Sequence, residues 1–209
     1  AMEENLSSIG IQMTYANLDT EEIKRFREVF SIEDLSDWYQ KLLDEYHKWL
    51  SYSLKWKKER NESLQNLEFP FPYREGQRKM VGSVYHSISA GRQIFIQAPT
   101  GVGKTMSTIF PAVRAVGEGK GETIFYLTAK TITRTVAEEA FAVLQEKGMK
   151  YKVVTITAKD KLCFMEETKC NPAHCPYAKG HFDRVNDAVY ELWTSSHVYD
   201  RQTILGQAE

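Results

Sequence analysis

The segment Gln97-Ala98-Pro99-Thr100-Gly101-Val102-Gly103-Lys104-Thr105 lies between an apolar run, Gln93-Ile94-Phe95-Ile96, and an amphipathic stretch, Met106 to Val116. A strand, a glycine-rich turn closing in Gly-Lys-Thr, and then a helix is the order of a phosphate-binding loop. Such a loop commits a chain to helices packed on a mostly parallel sheet. Gly101 and Gly103 can take positive φ and let backbone close around a phosphate. The loop N–H groups and the positive end of the next helix then face the anion. Lys104 is placed to reach the β- and γ-phosphates, and Thr105 to put its hydroxyl on Mg²⁺. Thr100 and Val102 complete the turn.

The surrounding pattern agrees. Expected strands at Ile94–Gln97, Thr123–Thr128 and Lys152–Thr157 alternate with expected helices at Lys104–Val116 and Thr133–Lys147, which reads as βαβ units. A helix from Arg78 to Ser89 precedes them, and Phe69-Pro70-Phe71-Pro72 breaks what comes before. Between residues 32 and 67, Leu35, Trp38, Leu42, Tyr46, Trp49 and Trp56 recur at helical steps, so a long amphipathic helix is expected there, capped by Ser31 and packed on the domain that follows. Ile9 to Tyr15 alternates weakly and reads as a strand, and Leu18 to Glu22 as a helix start with Thr20 as its cap. Phe182 to Trp193 is a further expected helix.

The chain has 209 residues, 42% of them apolar and 26% charged, with a net charge of -1. That charge gives no global basic field for a polyanion, although a local groove needs none. No apolar run approaches the roughly 18 residues of a membrane span, and no signal peptide is visible, so no membrane association and a cytoplasmic location are expected. All three cysteines fall between Cys163 and Cys175, spaced C-x6-C-x4-C, with Pro172 and Pro176 forcing turns. An odd, clustered count points to metal rather than disulfides. Thiolates suit iron–sulfur or zinc, and His174 or His181 offers a fourth ligand for a Cys₃His zinc site. Thr128, Lys130, Thr131, Thr133 and Arg134 bring hydroxyls and cations to a helix start, which fits either a phosphate clamp for one nucleic-acid strand or plain capping.

Tyr-Arg-Glu-Gly-Gln at 73–77, Ala-Pro-Thr-Gly-Val-Gly-Lys-Thr at 98–105, and Leu162-Cys163 leading to Cys175-Pro176-Tyr177 stand in an order that resembles the DinG/XPD iron–sulfur helicases of superfamily 2. The resemblance covers roughly residues 69–209. It implies a partial RecA-like α/β domain at 69–157, preceded by a connector with a long helix at 1–68 and followed by a cysteine-cluster segment and helix at 158–209. It implies ATP and Mg²⁺ at Tyr73, Arg74, Gln77, Thr100, Gly101, Val102, Gly103, Lys104 and Thr105, with Lys104 and Thr105 catalytic and Thr105 on the metal. It implies a [4Fe–4S] cluster on Cys163, Cys170 and Cys175, and contacts to single-stranded or forked DNA from Lys130 and Thr131, in a DNA-repair setting. A second acidic motif and a second motor domain are absent, so the fragment alone is expected to be inactive as a helicase. The N-terminal part looks like the tail of a RecB-type nuclease domain without its carboxylates. Competing readings are a phosphate-loop kinase or nucleotide switch, and a metal-stabilised interaction module without catalysis.

Overall fold

The computed structural model describes residues 6–129 and 131–208. The chain divides into two units, Ala1–Ser53 and Leu54–Glu209.

In the first unit, β1 (Ser8–Ala16) and β2 (Ile23–Ser31) form an antiparallel hairpin in which Ser8 pairs with Ser31 and Ala16 with Ile23. Ile9, Ile11, Met13 and Tyr15 share a face with Phe26 and Phe30, and the Tyr15 and Phe26 rings meet edge to face at 5.7 Å. The expected helix start at Leu18–Glu22 is instead the hairpin turn. The Asn17 side-chain oxygen accepts from the N–H groups of Asp19 and Thr20 at 2.9 and 3.1 Å, and Glu21 takes φ of 58°. An Asx-type side chain that bonds the backbone ahead of it makes a turn before a helix can nucleate. The sequence reading left β2 unassigned, since Lys24, Arg25, Arg27 and Glu28 mask its alternation.

Helix α1 (Ile32–Gln65) begins as expected at Ser31. Ser31 Oγ accepts from the Asp34 N–H at 3.1 Å, and Asp34 Oδ2 accepts from the Ser31 N–H at 3.2 Å. This reciprocal pair satisfies two of the helix's orphan donors. Within the first unit the apolar stripe is not packed away: Trp38, Leu42 and Tyr46 are exposed.

The second unit holds the core. The last turns of α1 are followed by α2 (Gln77–Ser89), α3 (Lys104–Gly117), α4 (Thr131–Glu146), β3 (Val153–Val154), α5 (His181–Ser195), β4 (Val198–Tyr199) and α6 (Arg201–Ala208). Leu64, Ile109, Val113 and Leu144 are the fully buried centre of the cluster. The end of α1 is fastened to the end of α3: the Gln65 amide donates to Gly117 O at 2.8 Å, and Arg114 donates to the carbonyls of Gln65 and Leu67. Gly117 is required there, since a Cβ would stand 2.6 Å from Leu64 Cβ.

The expected three-stranded parallel run is largely absent among the described residues. Of those three strands only Val153–Val154 pairs, in parallel with β4, which the sequence reading missed. Val153 N donates to His197 O at 2.8 Å and Thr155 N to Tyr199 O at 2.9 Å. Ile94–Gln97 and Thr123–Thr128 are not strands. Helices close their hydrogen bonds internally, whereas a strand exists only beside a neighbour. Phe95 and Leu127, apolar as buried strands are, remain 95% and 88% exposed. The fold is therefore mixed α/β with small sheets. No helix among the described residues is long and apolar enough to cross a membrane.

Candidate nucleotide-binding site

The loop before α3 turns on two left-handed glycines, Gly101 at φ +86° and Gly103 at φ +79°. Gly103 directly precedes the helix, and no side chain caps it, so the first helical N–H groups have no side-chain acceptor. Lys104 opens the helix and folds its ammonium back over the loop, donating to Ala98 O at 2.8 Å and Pro99 O at 3.1 Å. Thr105 lies half-buried in the first turn. Below it, Ser107 is fully buried and donates to Gly103 O at 2.9 Å, which ties the loop to the helix. Thr100 is exposed and Val102 half-buried in the same turn.

The segment upstream of α2 closes on this loop. Gln77 is buried, and its side-chain oxygen accepts the Arg74 N–H at 3.0 Å. Its amide nitrogen lies where a Gly103 Cβ would come within 2.6 Å. The Arg74 guanidinium donates to Gly101 O. Tyr73 stacks on Phe69 with centroids 4.3 Å apart, and Phe69 meets Phe110 of α3 edge-on at 5.3 Å. Arg74, Gln77, Gly101, Gly103 and Lys104, separated in sequence by up to 30 positions, are thus gathered around one turn, with Tyr73 held beside them on Phe69.

The other predicted residues fare differently. Lys130 lies outside the described residues, and Thr131 is the first residue of α4. Thr128 and Thr133 share a hydroxyl hydrogen bond of 2.6 Å at the start of α4. Arg134 pairs with Glu138 at 3.5 Å, and Glu138 also accepts from Thr155 Oγ1 at 2.8 Å.

Cys163 is half-buried, Cys170 exposed and Cys175 buried, and all three are free thiols. A hydrogen bond and charge from Cys170, with smaller contributions from Cys163 and Cys175, hold Lys159 above the usual lysine range. Among the described residues no three His, Cys, Asp or Glu side chains converge as a metal-holding group. The expectation of a [4Fe–4S] cluster on Cys163, Cys170 and Cys175 therefore finds no support in this geometry. Cys170 is exposed, and its thiol hydrogen-bonds Lys159 of the chain itself.

Sequence reasoning missed one tight cluster. The Lys152 ammonium donates to Ser196 O at 2.9 Å, to the Tyr199 hydroxyl at 2.8 Å and to Trp193 O, and sits 4.4 Å from the Trp56 ring centroid. The Trp56 ring also stands 4.9 Å from that of His197. Burial pushes Lys152 down to about 8. Its acceptors are carbonyls and a phenol, none of which marks itself in a sequence.

Residues 74–188, more than half of the chain, match the DEAD/DEAH box helicase family. The chain belongs to that family. Among curated proteins it is similar to a probable ATP-dependent helicase of Methanocaldococcus jannaschii, with 28% identity over 123 residues, 57% of this chain and 18% of that protein. The chain thus matches under a fifth of the length of that relative. No solved structure matches it.

Proposed function

We propose that this chain is the nucleotide-binding part of an ATP-dependent helicase, with the triphosphate seated on Ala98–Thr105. The observation that carries the reading is the turn itself: two left-handed glycines lead straight into a helix whose first residue is Lys104, with Gln77 sealed beneath Gly103. Uncapped N–H groups at a helix start attract a phosphate. Lys104 already contacts two oxygens, the carbonyls of Ala98 and Pro99, and a phosphate offers better ones. Thr105 is the residue that would hold Mg²⁺, which supplies charge neutralisation at the phosphate oxygens. Tyr73, Arg74 and Gln77 are the residues that the resemblance assigns to the base.

Single-stranded nucleic acid is the expected partner of the parent protein, through the start of α4 at Lys130, Thr131 and Arg134. The full RecA-like sheet belongs to this reading too: the extended segment at 123–128 and β3 flank a cavity of about 780 Å³, lined by Phe125, Leu127, Phe141 and Val153, in which further strands would complete the ladder. The iron–sulfur assignment rests on the resemblance alone. The three thiols are of the right chemical type, but a cluster of this class takes four ligands.

The test is calorimetric titration of the chain with Mg·ATP. Saturable one-to-one binding that Lys104→Ala abolishes supports the reading, and equal binding by wild type and Lys104→Ala overturns it. Iron and sulfide analysis of the anaerobically prepared chain decides the cluster: absence of both ends that assignment.

A further inference from the structure

We infer that Arg74 is a positioning residue that fixes the orientation of the Gly101–Val102 peptide, so that the phosphate loop is set before nucleotide arrives. The inference rests on the nucleotide reading above and adds a role for a residue that the resemblance places on the base.

The peptide unit is planar, and no cis bond occurs among the described residues. In a trans unit the carbonyl and the following N–H point in opposite directions. Arg74 donates to Gly101 O. It therefore turns the Val102 N–H to the side of the loop away from Arg74. That is the direction a phosphate needs, if the phosphate lies across the turn from Arg74.

Little else holds this peptide. Nothing stands within 4 Å of the place a Gly101 Cβ would occupy, and at φ +86° glycine rotates with little steric resistance. Without the guanidinium, the peptide is free to flip and present a carbonyl where an amide is wanted. Arg74 is itself anchored: its N–H donates to Gln77 Oε1, and its carbonyl accepts from Gln77 N at 3.1 Å. Gln77 in turn presses its amide nitrogen against Gly103. One anchored dipeptide pair thus touches both left-handed glycines, one on each side of Val102.

A brace and a base reader differ in what they discriminate. A residue that reads adenine affects ATP and not a ligand without a base. A residue that sets the loop affects every polyphosphate alike.

The experiment titrates the 209-residue chain with Mg·ATP, Mg·GTP and magnesium tripolyphosphate, using wild type, Arg74→Met, Arg74→Lys and Lys104→Ala. Arg74→Met is expected to weaken all three ligands by the same factor, about tenfold for one lost charge-assisted bond. Arg74→Lys, which keeps a donor on a shorter reach, recovers part of the loss. Amide exchange of the ligand-free chain supplies the second readout: Arg74→Met speeds exchange across 98–105 and leaves the middle of α3 unchanged. A loss confined to Mg·ATP overturns the inference and returns Arg74 to base reading. Affinities and loop exchange that match wild type also overturn it. Those two results leave the nucleotide reading standing as long as Lys104→Ala abolishes binding. Wild-type protein that binds none of the three ligands removes the nucleotide reading and the brace together.

Discussion

Lys152 shows what burial does to a single charge. Its ammonium is held by backbone carbonyls, a phenol and an indole face, and burial lowers it to about 8 from an ordinary 10.5. The folded state therefore binds that proton less tightly than the unfolded chain does. Between about pH 8 and 10.5 the unfolded chain carries more protons, so this group makes stability rise with pH through that window and has no slope below it. The melting temperature of wild type minus that of Lys152→Met should climb from pH 7.5 to 9.5, and a flat difference would refute the linkage. His197, beside the same indole, is lowered by burial and by the nearby Lys152, and Lys152→Met should raise its titration midpoint in an NMR pH series. At the loop, Gly103→Ala meets both a φ of +79° and the Gln77 amide at 2.6 Å. It should lower stability by about 1–2 kcal/mol and reduce Mg·ATP affinity, read by thermal shift with and without ligand.

Among the elements, the join between α1 and α3 gives the sharpest test of packing. Gly117→Ala drives a methyl into Leu64 Cβ and its backbone, and should cost about 1–3 kcal/mol in denaturant titration. Gly121→Ala, with nothing within 4 Å, is the matched control and should be near neutral. The helices α2 to α5 were legible to within two residues at each end, because apolar spacing and glycine stops determine a structure that bonds to itself. The Ser31 start of α1 was legible for the same local reason. Strands beyond β1, which the alternation at Ile9–Tyr15 announced, were less so, since their existence depends on which neighbour lies alongside. Thus Ile94–Gln97 and Thr123–Thr128 have strand composition and no ladder, while β4 has a ladder and only two residues to advertise it. The acid-rich Leu18–Glu22 misled because Asp and Thr serve turns as readily as helix starts. Of the candidate site, the glycines and Lys104 could be named from spacing, and Gln77 only through the resemblance. The Arg74 contact to Gly101 O could not, because an arginine that bonds a carbonyl leaves no pattern.

Across the whole molecule, stability is concentrated in the second unit, around α3 and α4, and thins toward the extended segments. Amide exchange should map this gradient. Residues 94–97 and 123–128, without a ladder and with Phe95, Phe125 and Leu127 exposed, should exchange fastest outside the termini, and α3 around Ile109 and Val113 slowest. Protection of 94–97 comparable to α3 would show a paired sheet in solution. The placement of β3 and β4 has a separate consequence. The polypeptide departs after Val154 and comes home at Val198 to lie parallel with its own point of departure. A parallel return of that kind needs only about a dozen residues, so most of the cysteine-bearing excursion is surplus to the geometry of the return. Its middle is a cartridge clipped at both ends, open to exchange or shortening while β3 and β4 keep their register.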